Sequence, residues 1–268
     1  MGYSRATLVP GESFEVDLHW TLQHAVTDDN IMLVHLLDHT GQAVAGVYAY
    51  TLEHAYRTYE WKPGETIITS TVLDIPASVR PGAYSFELGK YSPFDFERIP
   101  TMDAANLISG DRILFAPVKR PRPAVKPPAD SVPVEIVLGD ELELIGYRID
   151  ALPTSSQALQ LTLWWRGVRS ATEDRTAFFH ITPSANNAEL VGQLDHAITD
   201  HEYPPPVWAA GEVVQKHVQI SAAKLQPGSY AVWMGMYAPV TQMRAAVTAG
   251  HGVVVYNRAL LLEFQLAP

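Results

Sequence analysis

The residues of this chain best suited to chemistry are histidines, carboxylates and large aromatics, and they cluster in a few places. The densest stretch is LDHAITDHEY, Leu194 to Tyr203, which offers Asp195, His196, Asp200 and His201. Imidazole and carboxylate oxygen are the donors that zinc and calcium take. The matching stretch of the first half, AYTLEHAYRTYEW, keeps only Glu53 and His54. A charged, solvated loop is therefore the expectation, and no metal or other cofactor is assigned. His35 and His180 occupy equivalent positions. A ligand or proton carrier in each copy is one reading. The favoured one is structural: a buried histidine bonded to a neighbouring strand or loop. Asp28–Asp29, or Asp95 with Glu97, could be set against a glycosidic bond as paired acids. Acids this close in sequence are expected to be solvated turn residues.

Aromatic residues carry the stronger signal for binding. Trp164 and Trp165 are adjacent on one strand and so point to opposite faces. Trp165 is assigned to the core, and Trp164 to the outer face where the first copy has His19. YRTYEW and EYPPPVW put Trp61, Tyr203 and Trp208 just before a Gly-Glu turn. Aromatic faces beside carboxylates suit the C–H surfaces of sugars. Trp61 and Trp208 are equivalent in the two copies and are expected to plug one end of each domain. Trp164 and Tyr203, read as lacking aromatic equivalents, are the preferred ligand contacts.

These residues are positioned by a repeat. RPGAYSFELGKYSP, Arg80 to Pro93, recurs as QPGSYAVWMGMYAP, Gln226 to Pro239. Trp20 and Trp165, and His35 and His180, stand 145 residues apart. Tyr84 and Tyr230, Arg98 and Arg244, and Arg112 and Arg258 stand 146 apart, and Gly64 and Gly211 stand 147 apart. A register held this closely marks two copies of one domain. Copy one is assigned residues 1–116 and copy two residues 136–268. Between them, 117–135 is a proline-rich linker. Copy two opens with VLGDELELIGYRID, of which copy one keeps only Gly2-Tyr3. Copy one is thus read as lacking its first strand, by derivation from a longer parent or by borrowing one. The edge this exposes makes a dimer an expected partner state.

The segments read as strands. SFEVDLHW alternates Phe14, Val16, Leu18 and Trp20 against polar neighbours, and ALQLTLWW does the same with Leu159, Leu161, Leu163 and Trp165. IMLVHLLD and TAFFHITP are apolar throughout, as central strands are. PTMDAANLI, Pro100 to Ile108, is at most a turn or two of helix. The predicted fold is all-β: two tandem Ig-like, Greek-key β-sandwiches. In the repeated phrase Pro-Gly supplies a turn, with glycine tolerating positive φ. The following tyrosine, Tyr84 or Tyr230, makes a tyrosine corner.

Composition narrows the function. A formal net charge of -10 disfavours nucleic acid and anionic membrane as partners. The absence of cysteine removes disulfides, thiol nucleophiles and cysteine-based zinc. No apolar run reaches transmembrane length. The dinucleotide, phosphate-loop, serine-hydrolase and zinc-protease motifs are all missing.

Taken together, Trp-Arg after alternating leucines, then FFHI or LVHLLD, then Trp-x-x-Gly-Glu, then Pro-Gly-x-Tyr-x-x-x-x-Gly-x-Tyr form a pattern. It resembles the β-sandwich repeats that follow the membrane part of bacterial glycosyltransferase-like, mannosyltransferase-like proteins. The resemblance covers most of both copies. It implies an extracytoplasmic accessory module of a cell-envelope protein, with catalysis elsewhere in the parent and a glycan or another envelope protein as partner. A carbohydrate-binding module is the alternative, and a glycoside-acting enzyme is the third reading.

Overall fold

The computed structural model describes residues 2–3, 7–50, 52, 55–103, 105, 107–115, 117–154, 157–186, 189–249 and 252–267. Glu53 and His54 lie outside the described residues. The chain is all-β and divides into two units, Met1–Arg122 and Pro123–Pro268. No helix among the described residues is long and apolar enough to cross a membrane.

Unit one contains β1 (Gly2–Tyr3), β2 (Ser13–Thr21), β3 (Ile31–Leu37), β4 (Ala43–Tyr50) and β5 (Thr66–Asp74). It continues with β6 (Gly82–Tyr91), β7 (Thr101–Met102), β8 (Ile108–Gly110), β9 (Ile113–Leu114) and β10 (Val118–Arg120). One sheet runs β1-β2-β5. The other runs β10-β6-β3-β4, with β9 also on β6. Alternation places Phe14, Val16 and Leu18 of β2 on the same core as Met32, Val34 and Leu36 of β3. The rings of Phe14 and Phe86 meet across that core at 5.2 Å.

Unit two contains β11 (Val132–Leu138), β12 (Leu142–Ala151), β13 (Leu159–Gly167), β14 (Thr176–Thr182) and β15 (Gly192–Ala197). It continues with β16 (Val213–Ile220), β17 (Gly228–Tyr237), β18 (Val247–Ala249), β19 (Val254–Val255) and β20 (Arg258–Leu266). Its sheets run β16-β13-β12-β11-β18 and β15-β14-β17-β20-β19. Leu161, Leu163 and Trp165 from the first pack with Phe179, Ile181, Val232 and Met234 from the second.

Both tyrosine corners are present. The Tyr84 hydroxyl donates to the Arg80 carbonyl at 2.7 Å, and that of Tyr230 to the Gln226 carbonyl at 2.6 Å. The glycine of Pro-Gly differs from expectation. Gly82 and Gly228 open β6 and β17, and Gly228 has φ 158°, close to extended backbone. Positive φ is needed instead at Gly64 and Gly211 (84° and 80°), in the Gly-Glu turns.

The linker is shorter than the composition suggests. Val118–Arg120 pairs antiparallel with Tyr84–Gly82, and buried Val118 belongs to the first core. Residues 132–135 already belong to β11, which pairs with β12 and β18. This leaves 121–131 between strands. Prolines flank β10 without entering it, so proline density hid the strand. The described residues of Pro100–Ile108 are not helical. Thr101–Met102 and Ile108–Gly110 pair across a turn in which the Asp103 carboxylate accepts from the amides of Ala105 and Leu107. That is an Asx-type competitor to helix.

Candidate functional site

The expected aromatic contacts are buried. Trp164 is 2% exposed, although it does lie on the outer face, away from the leucines of β13. Its cross-strand partner is Gly146. A Cβ at Gly146 would sit 3.3 Å from the Val132 carbonyl and 3.8 Å from Pro127, so the proline segment passes beside Gly146. Tyr203 is 0% exposed and does have an aromatic equivalent, Tyr56. The two make the same motif. Tyr56 donates to Glu65 at 2.8 Å, and Tyr203 donates to Glu212. The indoles of Trp61 and Trp208 donate to the Tyr56 and Tyr203 carbonyls at 3.2 and 3.1 Å. The same two carboxylates accept the amides of Lys62 and Ala209. Trp-x-x-Gly-Glu is therefore a structural plug that places Trp61, Tyr203 and Trp208 out of reach of a ligand, with Tyr56 half-buried.

The LDHAITDHEY residues diverge. Asp195 and His196 are neighbours on β15 and point to opposite faces. Asp200 pairs with Lys216 at 2.5 Å. Among the described residues no three His, Asp or Glu side chains converge as a metal site would require. Asp29 is not a solvated turn acid. It is buried and accepts from the amide and hydroxyl of Thr58 at 3.1 and 2.8 Å. Asp95 does cap a turn, through the Glu97 amide.

The histidines lead to the most built polar arrangement. Both lie on the outer face of their sheet, opposite the core residues of β3 and β14. In copy one, His35 Nδ1 is 3.0 Å from Glu87 Oε2 and Nε2 is 2.8 Å from the Tyr48 hydroxyl. Arg98 and Arg112 donate to Glu87 Oε1 at 2.8 and 3.4 Å. Burial pushes the Glu87 carboxyl up, but the hydrogen bonds from Arg98 and His35 outweigh it and hold it below the usual range. Ionised Glu87 only accepts, so Nδ1 of His35 carries a proton.

Copy two keeps the histidine and both arginines but not the acid. Glu87 is the register partner of His35, and Trp233 that of His180. The Arg258 guanidinium lies 4.9 Å from the centre of the Trp233 ring, and its NH1 is 3.4 Å from His180 Nδ1. Arg244 lies 4.5 Å from the centre of the Phe178 ring. Burial and the two arginines push His180 below its ordinary pKa. An arginine always donates, so Nδ1 of His180 accepts and its neutral ring carries the proton on Nε2.

Glycine makes room for this arrangement. A Cβ at Gly46 would fall 2.3 Å from the His35 ring, and one at Gly235 would fall 2.3 Å from the Phe178 ring. At Gly89 it would meet Leu33 at 2.9 Å and Arg98 at 3.3 Å. The second glycine of the repeated phrase thus clears the outer face for its neighbours. Above Phe178 opens a cleft of about 280 Å³, lined by His180, Gln193, Asp195, Tyr237, Gln242 and Arg244.

Sequence reasoning named both histidines and used the arginines only as alignment marks. The substitution of tryptophan for glutamate between the two copies of the repeated phrase is the signal that could have pointed to them.

Fold and face together define a tandem β-sandwich chain whose copies present the same outer sheet face with different chemistry. No protein-family model matches the chain, and no curated protein matches it. Among solved structures, the AgI/II polypeptide BspA C-terminal domain of Streptococcus agalactiae is similar at 8% identity. The match covers 91% of this chain and 94% of that one, with a TM-score of 0.23. At that score the likeness carries no information about function.

Proposed function

We propose that the chain is a non-catalytic interaction module of two Ig-like sandwiches, with its ligand face on the outer side of the β15-β14-β17-β20 sheet. One observation supports this most. At equivalent places copy one fills its face with its own carboxylate, while copy two leaves a polar cleft. The fixed cations there are arginines, suited to holding a group and unsuited to exchanging protons. In line with the sequence resemblance, the module is an extracytoplasmic part of a cell-envelope protein whose catalysis lies elsewhere.

A carbohydrate ligand is the more specific form of this reading. Gln193, Gln242 and Asp195 provide the amide and carboxylate groups that sugar hydroxyls require, beside the Tyr237 ring. A glycan array probed with the purified chain and with Arg244→Gln tests it. Reproducible hits that weaken in the variant support the ligand face. A blank array, or hits indifferent to the variant, would remove it.

A further inference from the structure

From the contrast between the two copies, we infer that the cleft of copy two is a built site for an oxyanion carried by the ligand, gripped by Arg244 with Arg258 and His180 behind it. The inference rests on the ligand face proposed above and specifies its chemistry.

The charge balance carries it. In copy one the two arginines share Glu87, and Asp111 lies 3.7 Å from Arg98. In copy two the equivalent arginines have no carboxylate within ion-pair distance among the described residues. Arg258 is only 9% exposed, and its Nε is buried without a hydrogen-bond partner. A buried guanidinium is costly unless something accepts from it. The neutral acceptors they do have are distant, the His180 Nδ1 at 3.4 Å for Arg258 and the Tyr256 carbonyl at 3.5 Å for Arg244, and each arginine also faces an aromatic ring, which supplies a weaker attraction than a carboxylate does. Like charges also repel, so burial and then Arg244 both push Arg258 below the usual arginine range. Arg244 is exposed and lines the cleft, so its donors other than the NH1 that reaches the Tyr256 carbonyl at 3.5 Å are available to a ligand, while Arg258 lies outside the lining and acts on it through Arg244 and His180.

The rest of the cleft restricts what carries the anion. Asp195 lines the same cleft as Arg244 and accepts from the Tyr237 hydroxyl at 3.4 Å. It would repel a second negative charge and accept hydroxyl groups. A carboxylate on a hydroxylated ring meets both demands, and 280 Å³ is at the small end of ligand sites. A carboxylate takes two guanidinium donors side by side in charge-assisted hydrogen bonds, which the hydroxyls of a neutral sugar do not supply.

The test is titration of the full chain with glucuronate, glucose, acetate and inorganic phosphate, each followed by calorimetry and by the arginine side-chain N–H signals in a ¹H–¹⁵N spectrum. Glucuronate is expected to saturate and to shift the Arg258 Nε–H signal. Arg244→Gln should weaken it at least about tenfold without changing the melting temperature, and glucose should leave the signals unmoved. Acetate or phosphate binding as tightly as glucuronate would support the oxyanion site and remove the carbohydrate reading. Glucose binding as tightly as glucuronate would overturn the oxyanion and leave the carbohydrate reading standing. If no titrant moves the Arg258 signal, the inference is wrong, and because that readout uses the unmodified chain, a misfolded variant cannot obscure the result.

Discussion

Glu87 and Trp233 occupy one place in the repeat, and that single difference changes what the arginines around it do. In copy one the glutamate is buried and ionised, held by Arg98, Arg112 and His35. Glu87→Gln leaves those donors without their charge partner and should destabilise unit one by about 2–3 kcal/mol at neutral pH. This is at or below the low end for a broken buried pair, because Arg112 is half-exposed. The sign with pH follows from the lowered carboxyl. Its stabilisation is complete above the unfolded glutamate pKa and is lost as pH falls through the lower folded value. Melting temperatures of wild type and variant should therefore differ at pH 7 and converge in acid. A gap that stayed constant would contradict the assignment. Another residue belongs at this scale. Phe96 is 68% exposed at φ 58°, and its equivalent Gln242 has φ 59°. An aromatic in the left-handed region costs about 1–2 kcal/mol relative to ordinary backbone, so the turn after β6 keeps this geometry without glycine.

At the scale of elements, period-two alternation located the main strands because one face of each meets a core. It located the corners as well, since Pro-Gly-x-Tyr fixes where the chain turns from one sheet to the other. Tyr84→Phe and Tyr230→Phe should each cost about 1 kcal/mol, the worth of a part-buried hydrogen bond. Denaturant titration of each variant measures it, and unchanged midpoints would show that the hydroxyls do not pin the corners. What escaped the sequence was cover supplied from a distance. Alternation assigned Trp164 to the correct face, but not its burial, and Pro127, which lies beside its cross-strand partner Gly146, comes from outside the strand and its neighbours. Tyr203 was misjudged for another reason. The offset between copies drifts from 145 to 147 across the loops, and a fixed offset passes over Tyr56. β10 was missed because three residues between prolines offer no period to read. The polar face was legible only as matched histidines, because the arginines that complete it come from the connection after β6 or β17 and from the start of β20.

The whole molecule is two units whose strands are nearly all accounted for within each, joined by residues 121–131. The net charge of -10 opposes any anion at long range, so a site of the kind inferred above would depend on its local arginines. The joining segment has a chemical consequence of its own. Of the basic residues from Lys119 to Lys126, Arg120, Arg122 and Lys126 each precede a proline, and Lys119 sits inside β10. Trypsin cleaves poorly before proline, and cleavage in general needs backbone that can leave its hydrogen bonds. The chain should therefore resist trypsin between its halves while an elastase-type protease cuts at Ala124–Val125. Mass spectrometry of the two digests reads this directly: an early tryptic break into units of about equal size would mean that β10 opens readily and exposes the Lys119–Arg120 bond. If the segment resists as expected, the prolines that follow its basic residues protect the join from a protease that would otherwise part the two units.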